Sequence, residues 1–268
     1  MNDGATPAAR WWVATLAFGL AVLVFGAWLG GVFPQSSFAA EPGYGAPVFA
    51  FEFVRGQDDL IAIFGPDSDP AQVARLAAMR TGNEQDYLYM PLYAAFLASG
   101  LMAFWRELGV PLLRAAAGLP VLAAICDAYE NWLLFDIQAA FTAGDYSPAM
   151  ASLPWPVAAK FLLLALTNAA IGLALARTGR WGTLFGTLAI VACVPTLIAL
   201  TAPAQFGWTL VASVGGGWIV LLVSAAIASW RGFVCGRPLV DFDAPPRPRR
   251  AAPVDTAPAA KTFGRRRS

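Results

Sequence analysis

Six stretches of this chain are apolar for about as long as a helix needs to cross a bilayer. They are Trp11–Phe33, Tyr87–Trp105, Ala115–Phe135, Val157–Ala176, Trp181–Ala202 and Trp208–Trp230. A hydrocarbon core of about 30 Å takes roughly 20 residues of helix. A soluble domain of this length would have to bury all six runs in one core, which its surface-to-volume ratio forbids. Only 13% of the residues are charged and 58% are hydrophobic, about half the charge of a soluble domain. The expected fold is an all-α, six-helix transmembrane bundle, a multi-pass membrane protein in contact with the lipid bilayer.

Arginine and lysine orient the bundle. With both termini cytoplasmic, the inner segments hold Arg10, Arg106, Arg114, Arg177, Arg180 and Arg231. The outer segments hold only Arg55, Arg75 and Arg80, all in one long loop. That asymmetry follows the positive-inside bias, and tryptophans at 11, 105, 155, 181, 208 and 230 mark span ends. The expected organisation is a cytoplasmic N-terminus (1–10), a first span (11–33) and an extracytoplasmic loop subdomain (34–85). A five-helix core (86–232) and a basic cytoplasmic tail (233–268) follow. The tail, rich in Pro, Ala and Arg, carries eight Lys/Arg and three Asp from Gly236 onward, a net +5. It is expected to be disordered, either lying on anionic lipid or serving as a solvated topological signal. The first apolar run exceeds a signal-peptide core of about 7–15 residues, so an uncleaved anchor is expected. Two lysines among many Ala and Arg suit a GC-rich bacterial genome, hence a bacterial inner membrane.

The loop subdomain has its own pattern. In "VFAFEFV" Phe49, Phe51 and Phe53 alternate with smaller or charged residues, the period of a short strand or extended arm. "DDLIAIF" reads as a short helix. Asp69 as N-cap and Pro70 at the first position predict a helix over about Ala71–Met79, packing a Val73/Leu76 face on the bundle or the membrane. The pairs Gly26–Gly30 and Gly182–Gly186 allow close helix approach and leave oligomerisation open.

With no histidine anywhere, His-ligated zinc, His-held haem and imidazole-base hydrolysis are excluded. Cys126, Cys193 and Cys235 form no CxxC and read as small buried thiols. Nothing in the pattern calls for nucleic acid, and no motif specifies a cofactor.

Chemistry concentrates in "CDAYENWLLF" (126–135). Asp127, Glu130 and Asn131 stand at i, i+3 and i+4 and share one helical face. Asp127 falls near or just beyond mid-membrane, counting about 1.5 Å per residue from Arg114. An ionised group facing lipid there costs roughly 2.5 kcal/mol or several times that, so the face must turn into the bundle. Asp86, Tyr89 and Tyr93 form a matching face on the second span, which Pro91 is expected to interrupt. Lys160 lies one turn into the fourth, near Thr167 and Asn168. Three carboxyls against one ammonium leave an acidic excess. A retained proton, a loop arginine (Arg75 or Arg80), a metal ion or a cationic substrate could each balance it.

The order of "FEF", a D-x-x-Y-x-x-x-Y helix and "DAYEN" resembles a group of uncharacterised bacterial multi-pass proteins. The matching positions are Phe51, Glu52, Phe53, Asp86, Tyr93, Asp127, Glu130 and Asn131, within residues 51–131. The resemblance implies no activity; it implies that Glu52 of the outer arm belongs with the site. The ligand-binding candidates are thus Asp86, Tyr89, Tyr93, Asp127, Glu130, Asn131 and Lys160. Three functions remain open. They are binding or transport of a cation, a proton or a small amphipathic molecule; acid/base chemistry by Asp127 or Glu130 on an outer-leaflet lipid, with Lys160 on its head group; and a polar knot that only locks the helices.

Overall fold

Every backbone N–H and C=O inside hydrocarbon needs a partner within its own segment, so the apolar runs fold as helices. The computed structural model describes residues 8–232, 238 and 239, and the tail expectation falls almost wholly outside them. In chain order the α-helices are α1 (Ala9–Val32), α2 (Pro47–Glu52), α3 (Gln57–Phe64) and α4 (Gln72–Leu108). Next come α5 (Pro111–Ala116), α6 (Leu119–Ala143), α7 (Ala149–Ser152) and α8 (Pro154–Leu175). The last are α9 (Arg180–Val191), α10 (Cys193–Thr201), α11 (Pro203–Phe206) and α12 (Trp208–Trp230). No strand occurs among the described residues. Six helical stretches are long and apolar enough to cross a membrane: α1, α4, α5–α6, α7–α8, α9–α10 and α12. The chain is a polytopic all-α membrane protein.

Local chemistry sets the ends and breaks. Gly109 (φ +68°) and Gly144 (φ +75°) terminate α4 and α6 in left-handed conformations that a Cβ would strain. The fifth span breaks at Ala192. Three residues on, Pro195 has no N–H to return to Val191, and its ring crowds that carbonyl. Pro91 does not do the same. Contrary to expectation, α4 runs through it unbroken.

Helix α4 packs on α1 and α6, α8 packs on α6, α9, α10 and α12, and α12 closes back on α1. Five spans therefore ring a centre, and α9–α10 lie outside against α8 and α12. Close approach of α8 and α9 depends on Gly172 and Gly186, where a Cβ on either would strike the other's carbonyl oxygen. The Gly182–Gly186 pair thus serves packing within the chain. On α6 the two faces separate cleanly. Val121, Leu122, Ile125, Tyr129 and Trp132 are exposed, while Ala123, Asp127, Glu130, Asn131 and Leu134 are buried.

Residues 33–71 fold over one end of the ring. Helices α2 and α3 pack Phe51 edge-on against Phe64 (ring centroids 5.2 Å apart) and bury Leu60 and Ile63. Each such side chain contributes about 1.5–3 kcal/mol on full burial. Phe38 N–H to Ile63 O (3.0 Å) closes the arm on itself, and Phe64 against Phe141 and Phe53 stacked on Phe161 tie it to the bundle.

Two expectations for this segment need correction. "VFAFEFV" is not a strand: Pro47–Glu52 is a helix begun by Pro47. Among the described residues no neighbouring strand is present to take its backbone groups, whereas a helical turn satisfies them locally. The amphipathic helix exists, but it begins at Gln72 and is the first part of α4. Its packing face also differs. Leu76 is partly buried against the core, whereas Val73 is 73% exposed. Asp69 accepts a hydrogen bond from Ala71 N–H (3.1 Å) and pairs with Arg75.

Candidate functional site

Lys160 is the centre of the arrangement. Helix α8 starts with Pro154 in its first turn, and the next turns carry Lys160 inward until it is only 5% exposed. Its Nζ lies 2.9 Å from Glu130 Oε1, 3.1 Å from Asp127 Oδ1 and 3.2 Å from Glu52 Oε2. Its Nζ donates a hydrogen bond to Glu130 and is ion-paired with Asp127 and Glu52, so three carboxylates from α2 and α6 surround one ammonium.

Further hydrogen bonds extend from the cluster toward α4. Tyr93 donates its hydroxyl to Asp127 Oδ2 (2.9 Å). Asn131 donates through Nδ2 to Asp86 Oδ2 (3.0 Å) and to Asn83 O (3.2 Å). Tyr89 makes no polar contact with the cluster. It packs edge-on against Tyr93, with centroids 5.8 Å apart, and joins Trp218 in an aromatic wall. The structure thus brings together Asp86, Tyr93, Asp127, Glu130, Asn131 and Lys160 by contact, with Tyr89 adjoining.

Neither loop arginine completes the set: Arg75 pairs with Asp69 and Arg80 with Glu84. Both acidic partners lie nearer in sequence, within six residues, and Glu84 is half in water, where pairing costs less desolvation. Among the described residues, no group of three or more Asp, Glu, Cys or His has the geometry to hold a metal ion, since the ammonium stands between the carboxylates.

Removing four carboxyls and an ammonium from water is expensive, and only close pairing with further hydrogen bonds repays it. Glu52, which lies outside the spans, registers that cost. Burial pushes its carboxyl up to about 7, opposed by the Lys160 ammonium and reinforced by Asp127.

A cavity of about 500 Å³ opens on this cluster. Pro47, Val48 and Phe49 of the arm roof it, Gly26 and Gly30 of α1 line one side with Gly26 against the Tyr89 ring, and Val211, Val214 and Trp218 of α12 line another. Its polar floor is Glu52, Asp86, Asp127, Asn131 and Lys160, with Asn83 beside them. Glu130 does not line it and is sealed behind Lys160.

Sequence reasoning missed Asn83, Trp218 and Gln138. Asn83 had a signal, since it stands one turn before Asp86 on the same face. Gln138 donates to Leu76 O (2.7 Å) and continues the buried α6 stripe two turns beyond Asn131, past the expected end of that span. Trp218 sits in an apolar run with no polar neighbour in sequence to mark it. No family model matches this chain, and no curated protein or solved structure does either.

Proposed function

We propose that this protein binds, and carries across or within the membrane, a small amphipathic molecule or cation that enters from the arm-bearing side. The observation that carries this reading is the cavity. A merely structural knot would be dry and closed, whereas this one exposes Glu52, Asp86, Asp127 and Lys160 to a space of about 500 Å³ with largely apolar walls. That combination of an apolar body and a few convergent polar groups is the general form of a ligand site. The reading includes the topology: the arm-bearing end faces outward from a bacterial inner membrane, and both termini are cytoplasmic. The resemblance to multi-pass proteins with the FE and D-x-x-E-N motifs is consistent with it, since both motifs meet at Lys160.

Two experiments test it. A reporter fused after Ser268 should report the cytoplasm and one inserted near Asp67 the outside; the reverse pattern overturns the direction of entry. For the cavity, a neutral alkyl diazirine photoprobe is applied to membranes containing the protein. It should label peptides of α1 and α12 that line the space. Gly215 lines the cavity, and a Cβ there meets nothing within 4 Å. Gly215→Leu should therefore fill the space without disturbing the bundle and abolish the labelling. Labelling that is unchanged in Gly215→Leu would remove the binding reading.

A further inference from the structure

Resting on the binding reading above, we infer that the ligand is an organic ammonium with a neighbouring hydroxyl or carbonyl oxygen and an apolar tail. Its nitrogen sits on Asp86 and its oxygen on Asn83. The inference starts from which carboxylate has a cation and which lacks one. Lys160 is ion-paired with Glu52, Asp127 and Glu130, at 2.9–3.2 Å. Asp86 lies outside that set. Its hydrogen-bond partner is a neutral amide, Asn131 Nδ2, and it lines the cavity. A carboxylate at the edge of a low-dielectric space, without a cation of its own, is a seat for a positive charge.

Asn83 supplies the second and independent observation. It is 1% exposed and lines the cavity, yet its Nδ2 meets no acceptor in the protein. Leaving a buried amide donor unsatisfied costs about 1–3 kcal/mol. Asn83 stands one helical turn from Asp86, and Asn131 fixes the pair by donating to Asn83 O and Asp86 Oδ2 together. The Trp218 Nε1 donor is also buried and unsatisfied, on the aromatic wall that carries Tyr89 and Tyr93. A ligand meeting all three needs a cation beside an oxygen acceptor.

The aromatic wall narrows the class further. Tyr89, Tyr93 and Trp218 have ring centroids 5.5–6.4 Å apart. Ring faces at such a site attract a desolvated alkylammonium, whose charge is spread over its carbons. The tail has Leu210, Val211 and Val214 on one side and the Gly26–Gly30 stripe on the other. A phosphate-bearing head group does not fit. Among the described residues the one cation lining the space is Lys160, and three carboxylates already match its charge.

The test compares two molecules of one shape. Decanoylcholine carries an ammonium and an ester oxygen; 3,3-dimethylbutyl decanoate replaces the nitrogen by carbon and is neutral. Each competes against the neutral diazirine photoprobe. Decanoylcholine is expected to displace the probe at a concentration at least tenfold below that of its neutral isostere. Asp86→Asn, which keeps the shape, should bring the two within about twofold of each other while the isostere still competes, showing an intact cavity. Asn83→Leu should weaken decanoylcholine but not an alkyltrimethylammonium of equal length. A short-chain phosphatidylcholine should not compete. Equal displacement by the two isosteres, or discrimination that survives Asp86→Asn, overturns the ammonium assignment and leaves the cavity reading intact. Failure of every competitor, with labelling unaffected by Gly215→Leu, removes the cavity reading itself.

Discussion

Two cations of this molecule form ion pairs in opposite surroundings. Arg80 meets Glu84 at 3.0 Å on the surface of α4, with both side chains at least half exposed. Lys160 meets three carboxylates at similar distances, with its side chain 6% exposed. The distances barely differ, but the consequences do. In water the pair can dissolve into two hydrated ions at little cost, so it holds nothing together. In the bundle neither side can leave without stranding the other, so Lys160 ties α8 to α6 and the arm. Proximity alone does not measure an ion pair; the cost of its broken state does.

That comparison is most severely tested at Lys160. Lys160→Met keeps the volume and removes the charge, leaving Glu52, Asp127 and Glu130 buried around an apolar side chain. Breaking such a cluster from one side costs about 3–5 kcal/mol. The variant should show a large fall in thermal midpoint in detergent or fail to accumulate. A midpoint within a degree of the parent would mean that the cluster contributes no more than the surface pair. Next in size is Tyr93→Phe, which removes the hydroxyl that donates to Asp127. A hydrogen bond to a charged group contributes about 1.5–3 kcal/mol, and the same unfolding assay should show a smaller, clear loss.

Glu52 sharpens the comparison through pH. Its carboxyl sits near 7 when the arm is docked, raised by burial from an ordinary 4.5. The docked arm therefore binds the proton more tightly than the free arm does. Its contribution to docking is fully present below about pH 4.5 and is lost as pH rises through about 7. Amide exchange in α2 and α3, corrected for its intrinsic pH dependence, should speed up across that window, and Glu52→Gln should flatten the rise. An unchanged slope in Glu52→Gln would assign the dependence to another group. The smallest effect belongs to the surface pair. Arg80→Ala should change stability by at most about 1 kcal/mol, and a larger loss would remove the contrast.

Much of this is legible in the sequence. Hydrocarbon admits few backbone solutions, so the spans declared themselves by length. The i, i+3, i+4 spacing of Asp127, Glu130 and Asn131 fixed which face turned inward. Lys160 followed from the cost of leaving that face without a cation. What failed was local. Phe49, Phe51 and Phe53 have the period of a strand, but period cannot report whether a neighbouring strand exists to complete the ladder. Pro91 looked like a break and is not one, because the packing of α4 on α1 and α6 holds the helix through it. Arg75 and Arg80 were candidates by charge alone, and nearer acids claimed them. Glu52 is 75 residues from Asp127 along the chain, so residue spacing could not have joined them; the FE resemblance was the sole pointer.

Helix α4 has 37 residues, or about 55 Å at about 1.5 Å each, against a hydrocarbon core of about 30 Å. Its far end, which Arg75 and Gln72 bind to the arm through Asp69 and Gly65 O, stands well clear of the membrane. About 28 Å separate Gln72 from Pro91 along the axis. Tyr93, on Asp127, lies just beyond that proline. Mechanically, α4 is a single rod that joins the arm to the polar cluster. Because the helix runs unbroken through Pro91, a push on the arm at one end reaches Asp127 at the other with no joint between them.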